Sequence, residues 1–199
     1  ARLTLLGVRH GLHLGSQRIL TIDIGGGSTE FVVARGEVIE GIVSTSLGVV
    51  RLTEQYLVSD PPAVGELRGL KEVVGARIDR LRGELPSPED AQLVGTAGTV
   101  TTLAAIDLGL VTYNREKAHG HRVSLTRVKE LLDRLAGLPL QERRLIPGLE
   151  SGRADVILAG AVIVVASMEQ LGYQEVQVSD DGLREGVLLD LLRKAGRSG

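Results

Sequence analysis

The order of apolar and polar positions along the chain predicts an alternation of strands and helices. Short apolar runs bounded by glycine or polar corners predict strands at 19–24, 31–35, 38–44, 92–94 and 175–178. Apolar residues at helical spacing predict helices at 47–57, 64–81, 100–108, 126–135, 141–146 and 155–171, with a last helix ending near 192. Short polar corners separate the first three strands, so an antiparallel set of strands opens an α/β fold.

The first of these strands contains a carboxylate and ends in a polar loop. Asp23 interrupts the apolar run, and the residues after the run are Gly25, Gly26, Gly27, Ser28 and Thr29. A carboxylate in an apolar strand is costly unless a metal ion, a water or a cation accompanies it. Glycines can adopt φ > 0 and bring amides close to an anion, and the hydroxyls add donors. A cation beside a bound phosphate is the arrangement of phosphoryl-transfer sites. The alternative is a glycine hairpin with Asp23 as a paired core acid, although a hairpin needs only two turn residues.

A second loop of small residues joins the strand at 92–94 to the helix at 100–108. It contains Thr96, Ala97, Gly98 and Thr99. The amides at a helix amino terminus carry positive partial charge, so this loop is a second candidate phosphate cradle. Small residues also serve plain strand-to-helix packing, and that alternative stays open. If both loops bind phosphate, Gly26 and Gly98 are expected on one rim of the sheet.

Five other polar positions have a structural and a functional interpretation. His119 and His121 could face one metal ion, but no third ligand stands nearby, which favours a solvated or pocket-lining loop. Arg153 and Asp155 begin the long apolar helix, and mutual complementation is favoured over a substrate role. Ser179 is interpreted as a helix cap, with a ligand crevice as the alternative.

Composition excludes several classes of function. The 199 residues favour one α/β domain, and a net charge of −2 with scattered Lys and Arg argues against nucleic acid as a partner. The absence of cysteine excludes disulfides, thiolate metal sites and cysteine nucleophiles. No apolar stretch has the length and purity of a membrane span, so a cytoplasmic protein without membrane contact is expected.

Four sequence blocks resemble one known family. They read D-I-G-G-G-S-T-E from Asp23, G-T-A-G-T-V-T-T-L-A-A from Gly95, R-A-D-V-I-L-A-G from Arg153 and S-D-D-G-L-R-E-G from Ser179. These blocks are similar to the exopolyphosphatase/guanosine pentaphosphate phosphohydrolase (Ppx/GppA) family. The order of elements resembles the ribonuclease-H-like domain of the actin-like ATPase superfamily, which implies a mixed sheet flanked by helices.

The resemblance covers nearly the whole chain, 1–199, but only the second of the family's two domains. It implies that the first domain, its phosphate loop and the catalytic glutamate belong before Ala1. The first domain would then be a partner of this chain, and a homodimer is left open. Because the glutamate would be the general base, the chain alone is expected to have little or no activity.

The resemblance also implies a reaction and residue roles. The reaction is Mg²⁺-dependent hydrolysis of the terminal phosphoanhydride of inorganic polyphosphate, or of the 5′ terminal phosphate of guanosine pentaphosphate. Asp23 would hold the metal, and Glu30 would orient the metal or the attacking water. The loops at 25–29 and 96–99 would donate to phosphate oxygens. The competing interpretations are a polyphosphate- or alarmone-binding module without chemistry, and an ATPase or kinase, which would need an adenosine pocket.

Overall fold

The computed structural model describes residues 1–196, which form a six-stranded mixed sheet with helices on both faces. The strands are β1 (Arg18–Ile24), β2 (Thr29–Arg35), β3 (Val38–Thr45), β4 (Gln92–Thr96), β5 (Arg122–Ser124) and β6 (Glu175–Ser179). Their order in the sheet is β3-β2-β1-β4-β6-β5. The helices are α1 (Arg2–Gly11), α2 (Val49–Tyr56), α3 (Val64–Glu84), α4 (Ala97–Asp107), α5 (Arg115–Ala118), α6 (Leu125–Ala136), α7 (Leu140–Arg143), α8 (Ile157–Leu171) and α9 (Leu183–Ala195), with a 3₁₀ turn at Ser151–Arg153.

Strand direction brings three loops to one edge of the sheet. Strands β1, β2 and β3 pair antiparallel, whereas β4 pairs parallel with both β1 and β6. The carboxyl ends of β1, β4 and β6 therefore meet at the same edge. The loops that follow these three strands begin there, and this is the edge at which open α/β sheets bind ligands.

The two faces of the sheet are covered unequally. The odd-and-even alternation of β1 sends Leu20 and Ile22 into a large core with α3, α4, α6 and α8. It sends Ile19 into a smaller core beneath α1, with Leu5 and Val8. Within the larger core, α8 is buried through most of its length, and a side chain at Gly160 would overlap Thr99 of α4. The prediction that the 159–161 segment permits close approach in a central helix is confirmed.

Helices α1 and α9 pack on each other through glycine. A Cβ at Gly7 would overlap the carbonyl oxygen of Gly182, and a Cβ at Gly186 would overlap the carbonyl oxygen of Leu3. Backbone atoms thus come into contact where larger residues would hold the two helices apart. Gly186 is the only residue of α9 that is buried in the described chain.

The α/β class and the first three strands agree with the sequence prediction, whereas three short elements were not predicted. These are α1, α5 and β5. Helix α1 contains two glycines and is held by its contacts with α9, and the three residues of β5 are too few for a strand pattern.

The interpretation of Ser179 as a helix cap is wrong. Ser179 ends β6, its hydroxyl donates to the carbonyl of Asp181 at 2.7 Å, and Gly182 is the N-cap of α9.

Among residues 1–196, no helix combines the length and the hydrophobicity that crossing a lipid bilayer requires.

Substitution of Gly186 tests the packing of α1 on α9. Gly186→Ala is expected to lower the free energy of unfolding by about 1–3 kcal/mol, because the new methyl group meets backbone that cannot rotate away. The matched control is Gly69→Ala on α3, where no atom lies within 4 Å of the new methyl group. The control is expected to be neutral or stabilising by up to about 1 kcal/mol. Urea denaturation followed by circular dichroism measures both, and equal midpoints for the two variants would contradict the glycine contact.

Candidate functional site

A row of polar residues crosses five strands of the sheet at the edge where the loops begin. In the strand register, Ser44 lies opposite Glu30, Glu30 opposite Asp23, Asp23 opposite Thr96, and Thr96 opposite Ser179. Residues that lie directly opposite each other on paired strands point to the same face of a sheet. These five residues, called the polar row below, therefore line one face. Helix α1 covers the middle of that face, where the Thr4 hydroxyl donates to Asp23 Oδ2 at 3.3 Å.

Two carboxylates stand side by side in the polar row. Glu30 Oε1 accepts hydrogen bonds from the hydroxyls of Ser28 at 2.7 Å and Ser44 at 2.9 Å, which orient it. Partial burial raises the pKa of Asp23, and the negative charge of Glu30 raises it further. A cation between the two carboxylates would relieve both effects, because it neutralises the repulsion and replaces lost hydration.

The first glycine loop turns its carbonyl groups toward helix α2. The amides of Val49 and Val50 donate to the carbonyls of Gly25 at 3.1 Å and Gly26 at 3.0 Å. In a planar trans peptide the N–H points opposite to the C=O. The amides of Gly26 and Gly27 therefore point away from α2, and neither has an acceptor within residues 1–196. These two amides are available to an anion.

The reason for glycine in this loop differs from the one predicted. Neither Gly25, Gly26 nor Gly27 has a positive φ, so the expected left-handed geometry is wrong. Close approach explains the glycine on the α2 side of the contact, Gly48. A side chain at Gly48 would overlap Gly26 and Gly27, and both of those loop glycines are exposed at the surface. The absence of a side chain at Gly48 lets the loop lie against the start of α2, whereas a Cβ at Gly27 would meet no atom within 4 Å.

The second loop has a strained residue at the start of α4. Ala97 has φ 68°, in the left-handed region that residues with a Cβ adopt rarely. No side chain caps the amino terminus of α4. Strained backbone of this kind concentrates at functional sites, and the uncapped amides of a helix start favour an anion. The left-handed residue is thus a second sign that this loop binds a ligand.

Both loops line one cleft, as predicted for Gly26 and Gly98. The cleft has a volume of about 520 Å³. Apolar residues of β1, α2 and α8 form its floor. Its polar and small lining residues are Gly25, Gly26, Ala97, Gly98, Thr99, Glu150, Gly152 and Arg153.

Arg153 supplies the positive charge of the cleft. Its guanidinium lies over Gly98, where a Cβ would overlap it, and its Nε donates to Glu150 Oε2 at 3.0 Å. Asp155 does not pair with it, since Asp155 Oδ1 accepts from the amide of Val156 at 2.9 Å. The interpretation of Arg153 and Asp155 as a complementary pair is therefore wrong. The 55 positions between Gly98 and Arg153 carry no sequence pattern that would have placed one over the other.

Several predicted phosphate ligands use their hydroxyl groups elsewhere. Thr29 is buried and donates to the carbonyl of Leu47 at 2.6 Å, and Thr96 is buried and donates to the carbonyl of Asp181 at 3.0 Å. The prediction of hydroxyl donors at these two positions is corrected accordingly. The Ser28 hydroxyl donates to Glu30. A role for the backbone amides of all three residues stays a prediction.

Asp23 and Glu30 do not line the cleft itself. They lie in the polar row, on the two strands β1 and β2 that the first glycine loop connects. The loop therefore separates the carboxylate pair from the cleft floor. A bound ligand that reaches both the carboxylate pair and the cleft would have to pass over Gly26 and Gly27, whose amides point outward.

The two histidines have separate partners. His121 Nε2 lies 2.7 Å from Asp107 Oδ2, and His119 Nδ1 accepts from the amide of Asp180 at 3.1 Å. Within residues 1–196 no three or more His, Asp or Glu side chains come together as a metal-binding group. His119 instead helps to hold the loop after β6.

Sequence reasoning missed a polar cluster beside the second loop. Arg115 pairs with both Asp180 and Asp181, and the Tyr113 hydroxyl donates to Asp180. Burial and then Asp180 raise the pKa of Tyr113 well above its usual range. The cluster fixes the loop whose Asp181 carbonyl accepts from Thr96, so it supports the second loop from behind. The only sequence signal for it is the run of charged residues at 115–117.

Comparisons with known proteins agree with this geometry. Residues 1–195 match the Ppx/GppA phosphatase family. Exopolyphosphatase 2 of Mycobacterium tuberculosis is 33% identical over 195 residues, which are 96% of this chain and 61% of that protein. Exopolyphosphatase 1 of Mycobacterium leprae is 30% identical over 194 residues, 95% of this chain and 56% of that protein.

A solved structure gives the same result. The Ppx/GppA phosphatase of Aquifex aeolicus superposes with a TM-score of 0.86 at 33% identity, over 95% of this chain and 61% of that chain. The chain thus spans about three fifths of the length of these relatives. The ribonuclease-H-like fold of the actin-like ATPase type, expected from the order of elements, is confirmed. The chain belongs to the Ppx/GppA phosphatase family.

Proposed function

We propose that the cleft binds the terminal phosphates of inorganic polyphosphate, and that the chain contributes one wall of a site that hydrolyses the terminal phosphoanhydride. The observation that carries the proposal is the convergence of two anion-binding loops and Arg153 on one cleft. The names of the curated relatives support polyphosphate as the substrate. Guanosine pentaphosphate has the same terminal chemistry and remains the alternative.

Three sets of donors would hold the phosphate oxygens. The amides of Gly26 and Gly27 point away from α2, and the first amides of α4 lie at the positive end of a helix of 11 residues. The guanidinium of Arg153 lies over that helix start. Arginine binds phosphate through two parallel hydrogen bonds, which orient the group as well as attract it. Together these donors stabilise the charge that moves between oxygens during phosphoryl transfer.

The carboxylate pair of the polar row fits Mg²⁺. Two neighbouring carboxylates with a raised Asp23 pKa are a site that favours a cation. Mg²⁺ is commonly held by one or two carboxylates, with waters and substrate phosphates as its other ligands. Asp23 and Glu30 would hold the ion, which when bound supplies charge neutralisation and a water positioned for attack. Ser28 and Ser44 hold Glu30 in place for that role.

The opposite wall and the general base are proposed to lie outside the 199 residues. The chain spans 61% of the length of exopolyphosphatase 2, which supports this proposal by leaving room for a further domain in such relatives. Helix α9 offers a surface for a further domain. Its apolar residues Leu183, Val187, Leu188, Leu191 and Leu192 are 39–60% exposed. An exposed apolar helix face of this kind is typical of an interaction surface. A homodimer through α9 is the alternative, and a cytoplasmic location stays a prediction.

Metal dependence tests the role of Asp23. Mg²⁺ is expected to tighten the binding of inorganic tripolyphosphate to this chain, and Asp23→Asn is expected to abolish that enhancement. Because the pKa of Asp23 is raised, the carboxylate takes up its proton at a higher pH than an ordinary aspartate. The Mg²⁺ enhancement should therefore begin to fall at a higher pH as the solution is acidified. Calorimetry with and without Mg²⁺ measures this, and equal metal dependence in both proteins would remove Asp23 from the site.

Gly98→Ala tests the role of the arginine over the second loop. The atoms nearest to the new methyl group all belong to the guanidinium of Arg153, which side-chain rotation can displace, so the free energy of unfolding should change by about 1 kcal/mol or less. Tripolyphosphate binding should weaken by about tenfold or more, since a hydrogen bond to a charged group contributes about 1.5–3 kcal/mol. Gly69→Ala serves as the control, since the new methyl group there meets no atom within 4 Å. Unchanged affinity in Gly98→Ala would place the anion elsewhere.

Hydrolysis is expected to need more than this chain. Phosphate release from long-chain polyphosphate by the isolated 199 residues should fall short of a full-length relative such as exopolyphosphatase 2 by at least about 10²–10⁴-fold, the usual contribution of a positioned general base. Phosphate release by both proteins would be measured at the same Mg²⁺ concentration. Comparable rates would place the base within this chain, with Glu30 as the first residue to substitute. If both proteins bind polyphosphate and neither releases phosphate, a binding module without chemistry is favoured.

A further inference from the structure

Arg143 is a buried cation outside the lining of the cleft. Its side chain lies in α7 and is 4% exposed. Nη1 donates to the carbonyl of Ala154 at 3.1 Å, and Nη2 donates to Asp60 Oδ1 at 3.0 Å. A buried charge is tolerated only when its hydrogen-bond partners are in place. This guanidinium therefore ties together two segments that are 94 positions apart in the sequence.

Asp60 holds both the arginine and the helix that carries it. Its two carboxylate oxygens accept from the amide of Leu140 at 2.8 and 2.9 Å, the first residue of α7. Asp60 lies in the connection between α2 and α3. The carboxylate thus fixes the position of α7 while it pairs with the side chain at the other end of the same helix.

The second partner of Arg143 is the carbonyl of Ala154, the residue that ends the turn carrying Arg153. Ala154 follows Arg153 directly and is fully buried, whereas Ser151 and Gly152 are exposed. The turn has no other side-chain hydrogen bond from the described residues to its backbone carbonyls. The bond from Arg143 is consequently the side-chain anchor of the peptide next to Arg153, in addition to the backbone hydrogen bonds of the turn.

We infer that Arg143, held by Asp60, is a positioning residue that keeps the guanidinium of Arg153 over Gly98 and ready for phosphate. This inference rests on the proposed function, because it assigns Arg153 to the binding of a polyphosphate anion. An arginine that is already held in place loses less conformational freedom when it binds, which strengthens binding without a new contact. Arg143 itself is not one of the residues that line the cleft.

A double-mutant cycle separates this role from a general structural one. Calorimetry with inorganic tripolyphosphate would be performed on the wild-type chain, Arg143→Met, Arg153→Ala and the double variant. Arg153→Ala is expected to weaken binding by about tenfold or more, and Arg143→Met by about three- to tenfold. In the Arg153→Ala background, Arg143→Met should cause no further loss. An equal loss in both backgrounds, or no loss in the wild-type background, would overturn the inference.

Two further variants guard against misfolding and against a loss of charge alone. Arg143→Lys keeps the charge but lacks the fork that reaches both Asp60 and Ala154, so it should reproduce the loss of affinity. It takes the place of Arg143→Met in the cycle if that variant does not fold. The matched control is Arg77→Met, which removes an arginine from its ion pair with Glu84 on α3 and should leave affinity unchanged.

Hydrogen exchange gives a readout that needs no ligand. The amides of Arg153 and Val156 donate within the turn, to Glu150 at 2.8 Å and to Arg153 at 3.2 Å. Loss of the Arg143 anchor should speed the exchange of these amides while those of β1 and β4 stay protected. If the wild-type chain fails to bind tripolyphosphate, the proposed function fails. Unchanged exchange at Arg153 and Val156 in the Arg143 variant would refute the anchor, whether or not the wild-type chain binds tripolyphosphate.

Discussion

The register between β1 and its two neighbours is the constraint on which the site depends. It pairs Asp23 with Glu30 on one side and with Thr96 on the other, so one row of the sheet carries both carboxylates and the start of the second loop. A slip by one residue would send every side chain of β1 to the opposite face. Asp23 would then enter the larger core, where its charge would have no partner. The apolar neighbours Ile22 and Ile24 hold the register, since they fill that core.

The site contains features that reduce stability and that the rest of the fold offsets. Asp23 has a raised pKa because burial and Glu30 disfavour its charge, and Ala97 has a left-handed backbone. Each is unfavourable in the absence of a ligand. Helix α8, buried along most of its length and packed against α4 at Gly160, supplies compensating apolar burial behind the loops. A rigid support of this kind keeps strained loops in one conformation.

The two faces of the sheet have different relations to the remainder of the protein. The face with α8 has an extensive core, whereas the face with α1 and α9 has a small one and leaves the apolar side of α9 exposed. The polar row lies on this second face, close to Thr4 of α1. The face of the sheet with the smaller core is thus also the face that carries the carboxylate pair.

The sequence by itself determined the α/β class, the two glycine loops and their common edge, because hydrophobic periodicity and glycine-rich loops are local signals. The four blocks from Asp23 to Gly186 also indicated the family. Only the tertiary structure decided which groups face the cleft. Thr96 donates to Asp181, 85 positions away, and Arg153 lies over Gly98 rather than beside Asp155. Helix α1 likewise depends on Gly186 at the other end of the chain. Such contacts follow from the packing of distant segments, which no local pattern encodes.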